Sequence, residues 1–76
     1  MRVREGAALR RMRQRRDLSQ RELAFLARPC SQTTIYLLET RRQAVVNDDL
    51  AMRIARRLGV GVDTLFEDEL APLPTA

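Results

Sequence analysis

The chain contains no histidine, no tryptophan and no lysine, and only one cysteine, one tyrosine and two phenylalanines in 76 residues. Each scarcity removes a class of chemistry. Without histidine, and with Cys30 lacking a neighbouring base or metal co-ligand, nucleophilic hydrolysis and zinc sites lose their usual parts. No cofactor and no metal are expected. A single cysteine cannot form an internal disulfide, and Cys30 reads as a small, semi-buried spacer. No apolar run approaches the roughly 20 residues that span a bilayer. The charged N-terminus also lacks the apolar stretch of a secretion signal, so the expectation is a cytoplasmic protein without membrane association. The acidic groups Asp48-Asp49 and Glu67-Asp68-Glu69 read as helix N-terminal charge and a solvated tail rather than paired catalytic carboxylates. The chain is therefore expected to be no enzyme.

What is present is apolar residues, at 45 % of the chain, and arginine. The apolar fraction suffices for a folded core and is too high for disorder. A chain this short buries about 60–65 % of its unfolded surface, so one small domain is expected. All 14 basic residues are arginine, against 10 acidic ones. Codon usage accounts for the missing lysine but not for the clustering. Met1 to Arg16 carries seven arginines against Glu5 alone, a balance of +6, whereas residues 60–76 carry Asp63, Glu67, Asp68 and Glu69 with no base, a balance of −4. Such asymmetry predicts one face for a polyanion and another end that avoids it.

The dipeptide Ser-Gln occurs at 19–20 and again at 31–32, each time ahead of an apolar run with helical spacing. Ser19 with Glu22 three positions later forms a capping-box pattern, and Leu23, Ala24 and Ala27 supply an apolar face for a helix over 19–27. Pro29 disfavours the helical region at Arg28 and helps stop it. Ser31 is the next N-cap, with Ile35 and Leu38 on one face of a helix over 32–39. Two helices of two turns each cannot stand alone in water and need a shared core. Residues 5–16 offer Ala8, Leu9 and Met12 among arginines. Asn47 caps a fourth helix, helped by Asp48 and Asp49 in its first turn. Leu50, Ala51, Ile54, Ala55 and Leu58 face inward on it, Arg53, Arg56 and Arg57 face outward, and Gly59 ends it. A fifth helix is expected over 62–67, anchored by Leu65 and Phe66. The only strand-like signal is a weak "AVV" at 44–46. The fold class read from these patterns is all-α, a compact bundle of five short helices over 1–67, with 68–76 as a short, flexible acidic and proline-containing tail.

Two capped short helices with a tight turn inside such a bundle form the layout of a helix-turn-helix DNA reader. The segments "LSQRELA" at 18–24, Ile35 with Leu38-Glu39, and "ARRLGVGVDTLF" at 55–66 resemble the lambda-repressor-like, Cro-like (XRE-type) family, over about residues 6–66. The resemblance implies a sequence-specific regulator, of repressor or Cro type, that binds double-stranded DNA with the helix at 32–39 in the major groove. It places Gln32, Thr33 and Tyr36 at base-reading positions, and the chemistry suits this: glutamine can bond adenine bidentately, and threonine can offer its methyl to thymine. It places Ser19, Gln20, Arg21, Ser31 and Thr34 nearer the DNA backbone, with Arg10, Arg41 and Arg42 as further phosphate contacts. Arg13 and Glu39 match a pair that the family holds between its first and third helices. Independently, a carboxylate at a helix C-terminus is disfavoured by the dipole unless a cation meets it.

The chain also departs from the family. The spacing from Leu23 to Glu39 is one residue longer than usual, and the turn "ARPCSQ" lacks its customary glycine. Thr40-Arg41 replaces Asn-Gly, which predicts that the third helix lacks a left-handed C-terminal residue. Phe25, Leu26 and Leu37 are apolar where the family is usually polar, and form a candidate surface for a protein partner. Two alternatives therefore stand beside the DNA regulator: the antitoxin of a toxin–antitoxin pair, and a protein-interaction module that uses the fold without reading bases. Family members usually act in pairs on two half-sites. The expected homodimer, formed at least on DNA, would use the acidic C-terminal region with Val60, Val62, Leu65, Phe66 and Leu70.

Overall fold

The computed structural model describes residues 1–69. Their order is β1 (Arg2–Val3), α1 (Gly6–Arg15), α2 (Gln20–Leu26), α3 (Gln32–Glu39), α4 (Asp48–Leu58), α5 (Val62–Leu65) and β2 (Phe66–Glu67). The expected capping signals each form a bond. Ser19 Oγ accepts the Glu22 N–H at 3.0 Å and Glu22 Oε1 accepts the Ser19 N–H at 2.8 Å, completing the capping box. That backbone bond, followed by the one with the Ser19 side chain, holds the Glu22 carboxyl below its ordinary pKa. Ser31 Oγ accepts the Thr34 N–H, and Asn47 Oδ1 accepts the Leu50 N–H. Gly59 ends α4 in the left-handed conformation, φ 73°.

The core is the one the helical spacing anticipates, with Leu9, Leu23, Ile35, Leu38, Ile54 and Leu58 essentially removed from solvent. It also takes in residues the patterns assigned elsewhere. Leu65 and Phe66 are 1 % and 0 % exposed, which corrects their assignment to a dimer surface: both side chains are spent on the chain's own core. Val60 and Val62 are half-buried against that core. Leu70 and the rest of the expected tail, 70–76, lie outside the described residues.

The all-α expectation needs one amendment. The fifth helix stops at Leu65, and Phe66–Glu67 becomes a strand antiparallel to β1, pairing Arg2 with Glu67 and Val3 with Phe66. On the other side of β1, Val45 bridges Arg2, the Val3 N–H donates to Ala44 O at 2.7 Å and the Val46 N–H donates to Met1 O at 2.9 Å. The weak "AVV" signal thus marks real pairing. This small sheet also redistributes the N-terminal charge. Arg2 and Arg4 pair with Glu67 at 3.5 and 3.3 Å, and Arg4 Nε donates to Asp63 O at 2.8 Å. Among the seven arginines of residues 1–16, these two serve the acidic end.

Candidate nucleic-acid interface

α2 and α3 form the central pair, and α1 packs across α3. Ile35 and Leu38 bury one side of α3. Helical geometry then leaves the opposite side outward, and Gln32, Thr33 and Tyr36 are all exposed. Thr34 is half-buried, with its hydroxyl 3.1 Å from Ser31 Oγ. Ser19, Arg21 and Ser31 are exposed near the starts of the two helices.

The Arg13–Glu39 pair forms as expected. Arg13 Nε donates to Glu39 Oε2 at 2.6 Å and Arg13 Nη2 donates to Oε1 at 3.1 Å, a bidentate geometry. The two side chains are only 10 % and 3 % exposed. Arg13 Nη1 also donates to Leu18 O at 2.7 Å, which ties the α1–α2 connection to the same guanidinium. Gln20 joins this cluster, donating from Nε2 to Glu39 Oε1 at 3.2 Å. The expectation for Gln20 was a backbone contact on DNA. Its amide also has a structural partner here, with one N–H and the carbonyl still available.

An open cleft of about 300 Å³ lies beside this cluster, lined by Arg10, Arg13, Gln20, Tyr36, Glu39 and Thr40. Arg10 is exposed at its rim, and the Arg42 guanidinium sits 6.0 Å from the centre of the Tyr36 ring. One residue expected to read a base is therefore flanked by two residues expected to meet phosphate. Arg41 and Arg42 are exposed in the segment after α3.

Three features were missed in the sequence. No local pattern marks Gly6, yet a Cβ there would collide with the backbone carbonyls of Glu39 and Leu38, so α1 can approach the end of α3 this closely only without a side chain. The contact sets the positive end of α1 against the negative end of α3. Arg41 has φ 58°, so α3 does have a left-handed residue after its end, contrary to the expectation drawn from Thr40-Arg41. The Arg41 N–H donates to Leu38 O and the Thr40 hydroxyl to Tyr36 O, which reward the strained backbone. Finally, Arg53 and Arg57 do not simply point to solvent. Their Nε atoms donate to Ala27 O and Leu26 O, each at 3.1 Å.

Of the atypical apolar residues, Phe25 is 60 % exposed and Leu26 37 %, while Leu37 is half-buried. The Arg28 guanidinium lies 4.2 Å from the centre of the Phe25 ring, a cation–π contact that covers part of it. Cys30 is half-buried, and burial raises its thiol pKa, opposed by the charge of Arg53. Among the described residues there is no group of three or more metal-ligating side chains, and no helix is long and apolar enough to cross a membrane.

Two capped helices sharing a core, with the second presenting an exposed polar face, define a helix-turn-helix module. The profile of the family described as "Helix-turn-helix domain" matches residues 6–67. The chain belongs to that family, in its Cro-like, DNA-binding form. No curated sequence matches it. Among solved structures it is similar to the clp gene regulator ClgR from Corynebacterium glutamicum, at 34 % identity and a TM-score of 0.69, over 78 % of this chain and 61 % of that one. The chain thus spans less than two thirds of the length of that regulator.

Proposed function

We propose that this protein is a sequence-specific DNA-binding transcriptional regulator, acting in the cytoplasm without a catalytic step. The observation that carries the reading is the exposed face of Gln32, Thr33 and Tyr36 on a helix whose far end is held by a buried bidentate ion pair. A helix fixed in this way can present side chains to base edges at constant geometry. Gln32 and Thr33 supply donors, an acceptor and a methyl group for the major groove. Arg10, Arg21, Arg41 and Arg42, with Ser19, Ser31, Thr34 and the free amide hydrogen of Gln20, supply the contacts to phosphate that set register. The likeness to a gene regulator supports the same assignment.

One reading helix covers too few base pairs to locate a site, so two copies act on half-sites about 34 Å apart. With Leu65 and Phe66 inside the core, Val60 and Val62 are the described residues left for that pairing. The test is selection of bound duplexes from a random pool, followed by titration in salt. With about four to six phosphates neutralised per subunit, log affinity should fall against log salt with a slope of roughly −4 to −5. A pool that yields no enriched sequence, or a slope near zero, rejects the reading.

The exposure of Phe25 and Leu26 favours a second role, as a surface for a protein partner, whether a toxin bound by an antitoxin or the partner of a non-reading module. Phe25→Ser should then abolish partner binding in either case, and in an antitoxin it should leave DNA binding intact.

A further inference from the structure

The C-terminus of α2 is built differently from that of α4. α4 stops at a left-handed glycine, whereas α2 stops at Ala27, φ −98° and ψ 21°, and no left-handed residue follows before α3. The last carbonyls of a helix have no donor within the helix and need one from elsewhere. Here two donors arrive from α4: Arg53 Nε reaches Ala27 O and Arg57 Nε reaches Leu26 O. The two arginines are four residues apart and so share one side of α4. Their charge also lies at the negative end of the α2 dipole.

This contact sits where α2 hands over to the turn that leads into α3. The C-terminal end of α3 is held by Arg13 and by the close approach of Gly6. Its N-terminal end follows directly on the turn at residues 28–31, so where that turn begins bears on where α3 starts. The Ser31 cap bonds within its own helix, to Thr34, and so does not anchor that end to another element. The buried Ile35 and Leu38 decide which side of α3 faces inward, and the packing of α2 against α3 passes any shift of α2 on to it.

We infer that Arg53 and Arg57 are positioning residues for the reading face. By holding the carbonyls of Leu26 and Ala27 they fix where the turn begins, and through it the angle at which Gln32, Thr33 and Tyr36 meet a base. The inference rests on the DNA-reading role proposed above. It matters because a hydrogen bond to a base edge weakens steeply when its angle departs from linearity.

The test compares the full chain with R53M, R57M, the double variant and an R56M control. Each is titrated with a duplex selected on the wild type and with a scrambled duplex of equal length, at several salt concentrations, with thermal melts alongside. The double variant should lose about tenfold in the ratio of selected to scrambled affinity, the size of one good base contact. Its salt slope and its affinity for the scrambled duplex should be unchanged, and R56M should keep the wild-type ratio. R57Q, whose amide can still donate to Leu26 O, should retain more of the ratio than R57M. An unchanged ratio in the folded double variant overturns the inference. So does equal loss for both duplexes with a slope shallower by about 0.9 per arginine removed, which identifies phosphate contacts instead. If the double variant does not fold, R57M at its exposed position carries the same comparison. A wild type that fails to distinguish the duplexes overturns the DNA-reading role itself, a result separable from failure of the clamp.

Discussion

The two ends of α3 are held by different physics. At the C-terminal end a carboxylate, a guanidinium and an amide form a largely buried cluster, and two helix ends meet backbone to backbone at Gly6. At the N-terminal end the contacts are more exposed: a serine cap inside the helix and an Arg57 bond to the turn lie open to solvent, and only the Arg53 bond to Ala27 O is part-buried. The buried end stakes much free energy on a few atoms, because losing one partner strands a charge without water. The exposed end spreads its free energy over weak contacts that solvent can replace. The side proposed to meet DNA is thus polar and exposed, while the end that orients it is held by buried contacts.

Breaking the buried end should have the largest effect. Arg13→Met leaves Glu39 uncompensated and Glu39→Gln leaves Arg13 so, each at an expected cost of about 3–5 kcal/mol. For a domain this small that approaches total stability. Thermal melts within a degree or two of wild type would show instead that the pair is no more than a surface contact. Gly6→Ala tests the same end without touching charge. The new methyl group meets backbone carbonyls that cannot rotate away, so α1 must move back, at about 1–3 kcal/mol. A melt equal to or above the wild type would mean that the helix ends are not in contact.

At the exposed end the expected signature is reversed. Gln32→Ala should leave the melting temperature nearly unchanged while costing about 1–3 kcal/mol of binding at the preferred site and relaxing preference at one position. If affinity and preference both survive, Gln32 does not face the bases. The smallest effect is expected at Arg41, where a left-handed backbone carries a side chain. Arg41→Gly should relieve up to about 1 kcal/mol of strain and raise the melting temperature by a few degrees. At the same time it should make the salt slope shallower by about 0.9 if Arg41 meets a phosphate. A lower melting temperature would show that the Arg41 side chain contributes more than its backbone costs.

The parts of this fold legible in the sequence are those whose causes lie within four residues. Ser19 with Glu22, Ser31, Asn47 and Gly59 each mark a helix end because the cap and the group it satisfies are close neighbours in the chain. The polar face of Gln32, Thr33 and Tyr36 follows from the spacing of Ile35 and Leu38 alone. Arg13–Glu39 spans 26 residues, and it was anticipated only because the family pattern supplied the pairing that local chemistry merely favoured.

What the sequence by itself determined is therefore where the side-chain-capped helices start and where α4 stops, which side of each is apolar, and the family to which the arrangement belongs. Tertiary structure alone decided four matters. Gly6 became a contact point because α1 happens to cross the end of α3. Arg2 and Arg4 left the basic face because the short β1 found β2 some 64 residues away. Leu65 and Phe66, which the sequence left both as helix anchors and as a dimer surface, went wholly to the core. Arg53 and Arg57 found carbonyls on α2 that no spacing within α4 could reveal. In each case the deciding energy is a contact between segments distant in sequence, and a residue's own type and neighbours carry no record of what will stand opposite it once the chain has closed.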